Sequence, residues 1–417
     1  MPQSPEELFK ERTKRVEDAI QLKVPDRVPI TPFFGFFPAM YGGITCEEAM
    51  YDYEKLRIAS KKTILDFEPD MYVNPYDYIS SGPVAEVLDY KQLRWPGHGV
   101  NPNHTYQFVE GEYMKVEEYD HFMEDLSDFM IRVYFPRICG SLQPLSELAP
   151  IHDSLAYYLG LFINLAPLGM PNMVKALQTL GKAGTEALKW ATAYGSFDEE
   201  MKELGFPSQF GSITHAPFDT IGDFFRGTRG IMLDMYRCPE KLIEAMDKIT
   251  PMAIQMAVSF YQQSGNPRTF IPLHKGADSF MSQSQFKSFY WPTLRKVIIG
   301  IIEQGLQPII LIEGNYTSRL EIIRGVPKGK LVYHFESTDI FKAKKVLGDV
   351  ACIRGNVPLS LLFTGTPQDV KDYCKKLIDI VGKEGGFMMD AAGCIDEAKP
   401  ENIKAMIDFT REYGAYQ

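Results

Sequence analysis

Five short apolar runs in the second half of the chain constrain its fold more than any other feature. TFIPLHKG, QPIILIEG, KLVYHFES, VACIRGNV and GGFMMDAAG each end in polar residues or glycine. Helix-compatible stretches such as QSQFKSFYWPTLRKVIIGIIEQG and TPQDVKDYCKKLIDIVGKEGG separate most of them. Short runs buried on both faces and spaced by helices are the pattern of parallel strands in an α/β protein. GSITHAP, RVPITPFF and FEPDMYVNPYD supply further strand candidates. The expected fold is a (β/α)8 TIM barrel with an N-terminal helical extension, made by the charged first 20 residues, and with insertions. A doubly wound open sheet is the rival, but no G-x-G-x-x-G follows a strand to recommend a dinucleotide version.

With 417 residues, 45% of them hydrophobic, the chain can bury a large core. The expected organisation is a single barrel domain over 1–417 with inserts at about 80–205. There, residues 80–125 are rich in Gly, Pro, His and aromatics and read as a hairpin or long loop; 127–205 is helical text broken by Pro and Gly. The formal charge is −10 and no Lys/Arg block suggests a nucleic-acid surface. No apolar stretch approaches the ~18 residues of a spanning helix. MPQSPEELFKERTKR has charged residues where a secretory signal would need an apolar run. A cytoplasmic protein without nucleic-acid or membrane partners is expected. Its six scattered cysteines, with no CxxC pair, form no disulfide framework.

A barrel brings the C-terminal ends of its strands to one mouth, where chemistry is normally placed. His274, Glu313, His334, Glu336, Arg354, Asn356, Asp390 and Cys394 all lie at or just beyond such ends. Glu313, His334 and Cys394 offer carboxylate, imidazole and thiolate, a donor set that zinc accepts. The plainer reading gives Glu313 a salt bridge, His334 a core hydrogen bond and Cys394 a packing role; spacing does not decide between them. His274 either hydrogen-bonds a substrate and protonates a departing oxygen, or is a loop histidine bonded to a carbonyl. Glu336 shares a strand face with His334 and would orient it or replace it as a ligand. Asp390 supports the GC turn or caps a helix. Arg354 and Asn356 hold a substrate carboxylate or pair with acidic neighbours. Tyr76, Tyr78 and Tyr316 are candidate phenol-facing donors, and PFFGFFPAMY either roofs an aryl pocket or packs in the core.

FMSQSQFKSFYWPTLRKVI, GDVACIRGNVPLSLLFTGTPQDV and DAAGCIDEAKPENIKAMIDFTREYG resemble the uroporphyrinogen decarboxylase superfamily, specifically its corrinoid-dependent methyltransferase branch. The resemblance covers most of the chain, is most specific from about residue 268 onward, and implies a (β/α)8 barrel. Uroporphyrinogen decarboxylases carry R-Q-A-G-R after the first strand and a short F-S-D turn. PFFGFFPAMYGG and NPYDYISSG stand in those places here, without the arginines or that aspartate. Tetrapyrrole decarboxylation is therefore not expected. Zinc methyltransferases of the branch carry H-x-C at the strand end written LIE here, and a later cysteine in a G-C turn. Leu311 occupies the histidine position, Glu313 that of the first cysteine, and Cys394 matches the later one. The resemblance to O-demethylase methyltransferases implies His334 as the missing imidazole.

The implied function is methyl transfer from a methoxylated, aromatic substrate to cob(I)alamin on a separate corrinoid protein. Zn2+ held by Glu313, His334 and Cys394 would activate the leaving oxygen, and Arg354 and Asn356 gain a corrinoid phosphate as a second candidate ligand. No D-x-H-x-x-G segment is found, so the cobalamin is expected to arrive with the partner. A homodimer is implied by family analogy. The alternatives are a methylcorrinoid-dependent thiol methyltransferase, a decarboxylase of a small organic acid, and a noncatalytic barrel that binds corrinoid proteins.

Overall fold

In the computed structural model, residues 3–416 are described. The first three strands are short: β1 (Leu93–Pro96), β2 (Gly99–Val100) and β3 (Gln107–Phe108) form a small sheet in the order β2-β1-β3. Six more follow: β4 (Ser212–Ile213), β5 (Arg268–Leu273), β6 (Gln307–Ile312), β7 (Val332–Phe335), β8 (Cys352–Arg354) and β9 (Phe387–Met388). They pair in chain order, every pair parallel. The five diagnostic runs and GSITHAP each contain one of these strands. The small sheet falls inside the stretch read as a hairpin or long loop, and the 33-residue helix Pro171–Glu203 ends the helical region that follows it.

The molecule is thus a mixed α/β fold, largely helical by mass, with two small sheets. The eight regular strands expected of a TIM barrel are not all present. RVPITPFF and FEPDMYVNPYD contribute isolated bridges instead: Ile30 with Met389, Phe34 with Ile395 and Tyr72 with Ser208, all parallel. Pro29 and Pro32 have no N–H to give a ladder, which limits the first segment to scattered bonds. Thr31 N still donates to the Met389 carbonyl (3.1 Å), Met389 N to that of Pro29 (2.8 Å), and Asp70 N to that of Ile30 (2.8 Å).

Strand alternation sorts the side chains into two layers. Ile310, Ile312, Tyr333, Phe335, Ile353 and Phe387 pack outward among the helices. Ile309, Leu311, Val332, Cys352 and Met388 face inward, where Phe33 and Phe210 join them. The helix Pro5–Ile20 seals one end of this inner cluster with Val16, Ala19 and Ile20. Its Ser4–Glu7 capping box fixes where it starts. Beside that seal lies fully buried Asp70, which accepts from Arg15 (2.6 Å), Arg27 (2.7 and 2.8 Å) and the Ile30 N–H (2.7 Å). All six cysteines are free. No helix among the described residues is long and apolar enough to cross a membrane.

Candidate active site at the strand ends

Continuing the period of two past the strand ends turns the inward face polar. Leu311 is followed by Glu313, His334 by Glu336 and Met388 by Asp390. Parallel strands deliver all of these to the same end of the sheet, beside His274 after β5 and His215 after β4.

The acid–base centre of this end is His274. Its Nδ1 donates to Asp223 Oδ2 at 2.6 Å, and its Nε2 stands 3.8 Å from Glu313 Oε1. Burial works against a charged ring, but Asp223, Asp219 and Glu313 raise its pKa to about 9. His274 is therefore an imidazolium at neutral pH, with one N–H directed at the open side of the site. Asp223 resists burial in turn: His274 and Lys275 hold its carboxyl below the usual range. Lys275 Nζ lies 2.8 Å from Asp223 Oδ1 and also donates to Glu110, which comes from the segment after β3.

Asp219 fixes the loop itself. It accepts from the backbone N–H of His274 (2.9 Å) and of Lys275 (3.0 Å), and from the Tyr290 hydroxyl (2.6 Å). Burial and nearby Asp223 push its carboxyl upward. Asp219 and Asp223 reach the loop together because their i,i+4 spacing puts both on one helical face. The second histidine, His215, is pushed down to about 4 by burial and by charged His274, so it stays neutral. A neutral and a cationic imidazole thus share the site.

On the far side, burial together with Asp396 and Glu313 holds the Cys394 thiol well above its ordinary range. Burial also raises the Glu313 carboxyl, partly offset by His274. Tyr78 stands beside Cys394, its hydroxyl donating to Asp396 (3.2 Å) and its carbonyl accepting from Tyr106 (2.6 Å). Asp396 also accepts from Phe36 N (2.8 Å). A Cβ at Gly35 would fall 2.2 Å from Asp396 Oδ1 and 2.8 Å from the Tyr78 ring, so only glycine fits under this corner.

The other candidates lie elsewhere. His334 is buried on the inner face, and its Nε2 donates to the Ala391 carbonyl at 2.8 Å. Burial and Arg354 push it well below its ordinary pKa, so it is neutral. Arg354 donates to Asp390 (2.8 Å) and to the Thr31 carbonyl (2.7 Å). Asn356 bonds the Glu336 carbonyl (3.1 Å) and accepts from Tyr373 (3.2 Å). The Glu336 carboxylate accepts from Gly314 N, steadying the turn that carries Glu313. Tyr76 points into a separate aromatic cluster, its hydroxyl on the Tyr53 carbonyl, and Tyr316 packs edge-on to Phe286 in the outer layer. The structure brings His274, Glu313, Cys394 and Tyr78 to one side. Arg354 lies near enough to Cys394 to act on its thiol and Tyr316 sits buried under the His274 loop against Gly276, while His334 and Tyr76 are held by other partners. Among the described residues no three His, Cys, Asp or Glu side chains are grouped to hold a metal ion.

His215, Asp219, Asp223, Asp396 and Tyr106 escaped the sequence reading. A signal existed for three of them, in the HAPFDTIGD that follows the GSIT strand. NMR titration of the metal-free protein is expected to give His274 a midpoint near 9, falling in Asp223→Asn. Because the folded pKa lies above the ordinary 6.5, His274 adds stability that is complete below 6.5 and lost as pH rises through about 9.

A parallel sheet whose strand ends gather paired acid–base groups beside a cysteine and a glutamate is the layout of an α/β enzyme. A model of the uroporphyrinogen decarboxylase family (URO-D) matches residues 173–413, more than half of the chain, and the chain belongs to that family. The uroporphyrinogen decarboxylase of Chlorobaculum parvum is 22% identical over 186 residues, 43% of this chain and 52% of its own length. That of Chlorobium phaeovibrioides is 31% identical over 142 residues, 33% of this chain and 40% of its own. The methylcobamide:CoM methyltransferase MtbA of Methanosarcina acetivorans is 22% identical over 133 residues, 31% of this chain and 37% of its own. The chain thus spans about half or less of the length of these curated relatives. A methyltransferase from Methanosarcina mazei shares the fold with a TM-score of 0.62 at 16% identity, covering 96% of this chain and 98% of that one.

Proposed function

We propose that the protein is a methyltransferase that takes a methyl group from a methoxylated, aromatic substrate and passes it to cobalamin on a separate corrinoid protein. The observation that carries this reading is the His274 imidazolium, held by buried Asp223 and facing Glu313 at 3.8 Å. An aryl ether is hard to cleave because the departing oxygen takes up negative charge. A proton from His274 Nε2 to that oxygen removes the charge as the C–O bond breaks. The match is close, since a phenol's ordinary pKa is about 10 and that of His274 is about 9; transfer is efficient when donor and acceptor are so matched. Asp223 keeps the ring oriented, and Asp219 fixes its backbone. Tyr78, braced by Asp396, would line the methyl-donor side beside Cys394. The partner's corrinoid supplies the cobalt that accepts the methyl group.

The same proposal takes residues 28–34 and 70–73 as completing a closed barrel in a single domain, with 80–205 as its insert. Zinc is a separate part of it. Glu313 and Cys394 suit a divalent cation, because burial and neighbouring carboxylates, Glu336 and Asp223 at Glu313 and Asp396 and Glu313 at Cys394, raise both acids when no cation is near. His334 is not grouped with them as placed, since no three such side chains come together among the described residues, so no step is derived through the ion.

The test is demethylation of methoxylated aromatics by the purified protein with a reduced corrinoid protein, alongside its metal content. Methyl transfer from the ether is expected, with zinc occupancy falling in both Glu313→Ala and Cys394→Ala. Turnover of methylcorrinoid with a thiol, and none with ethers, would establish the thiol methyltransferase instead. Full zinc occupancy in both variants would remove the assigned ligands.

A further inference from the structure

One part of the surface has no use in this chemistry and does not suit a solitary chain. The helix Tyr157–Leu165 rests chiefly on the turns beside it, Ile151–Leu155 and Ala166–Gly169, and not on the body of the molecule. Of its nine residues only Gly160 is buried. Leu155, Tyr157, Tyr158, Leu159, Phe162 and Ile163 are between 59% and 89% exposed. A helix that is apolar on every side belongs inside a protein, not in water. At ~200 Å² for a large side chain, these six expose about 850 Å², more than the largest apolar patch of an ordinary monomer.

We propose that residues 151–169 form an arm through which two copies of this chain pair. Three observations select that occupant. The area exceeds the roughly 800 Å² that each partner gives a standard interface. Residues 154–174 contain no charged side chain, whereas surfaces for transient partners are as polar as the rest of the protein and permanent homodimer faces are apolar. A membrane-lying helix would carry a polar face rich in Lys and Arg, and this one has neither. Two copies related by a two-fold axis cover a helix exposed on all sides, because each arm lies against the other.

The experiment is light scattering after size exclusion, at micromolar concentrations, on the whole chain. The wild-type protein is expected at twice the 47.4 kDa of one chain, and Leu155→Glu with Phe162→Glu at the single-chain mass with unchanged circular dichroism. Both residues are exposed in the single chain, so the charges remove little packing within it beyond the Phe162–Tyr158 contact inside the arm itself. Amide exchange over 157–165 in the wild-type protein is expected to slow at least tenfold as concentration rises through pairing, a readout that does not depend on the variant folding. A wild-type monomer, whether free in solution or floating with phosphatidylcholine vesicles, would overturn the proposal. So would a pair that survives both glutamates, or exchange that ignores concentration.

Discussion

Replacing His274 by glutamine is expected to lower kcat for ether demethylation by about 10²–10⁴-fold, the usual contribution of a placed acid. KM should change little, because glutamine keeps a hydrogen-bond donor near the same position. The diagnostic comparison is between substrates. An ether whose leaving phenol is already acidic needs its proton less, so the loss in His274→Gln should shrink as the leaving group becomes more acidic. Asp223→Asn should lie between the wild type and His274→Gln, since it leaves the ring in place but lowers its charge. A uniform loss across leaving groups would mean that His274 only positions the substrate.

Asp70→Ala is expected to cost about 3–5 kcal/mol of folding stability, the penalty for breaking a buried ion pair from one side. Asp70 is fully buried and joins Arg15 of the first helix, Arg27 and the Ile30 backbone N–H in one node. Removing it leaves the Arg27 guanidinium without its carboxylate and the Ile30 N–H unpaired at the seam where the earliest segments meet the sheet, while Arg15 keeps Asp26 and Glu11. Urea unfolding should show a lower midpoint with unchanged slope. Arg27→Met with Asp70→Leu together should recover part of the loss, because Arg27 pairs with no other carboxylate among the described residues and Arg15 stays paired with Asp26 and Glu11. A change below ~1 kcal/mol would show that water reaches the node.

The parallel sheet was legible because each of its strands is a short apolar run with a polar end, a pattern that survives in one sequence. The first two segments were harder. Their prolines break the ladder, and their pairing depends on residues far along the chain, Ile30 with Met389 and Tyr72 with Ser208. Glu313, Cys394 and His274 could be read from their strand-end positions. His334 could not be placed, because alternation fixes the face of a residue but not which atom its ring nitrogen meets. Its neighbour turned out to be a backbone carbonyl, which no side-chain pattern encodes. Asp223 was hidden for a related reason: it acts from a helix that begins after β4, and only the folded chain brings it under His274.

The excursion carrying the small sheet supplies Tyr106 to the Tyr78 corner and Glu110 to Lys275. Both contacts reach the rim from outside the strands that bear the acid–base groups. A change in that one peripheral module would therefore reshape the rim directly and reach the His274–Asp223 pair only at second hand, through Lys275.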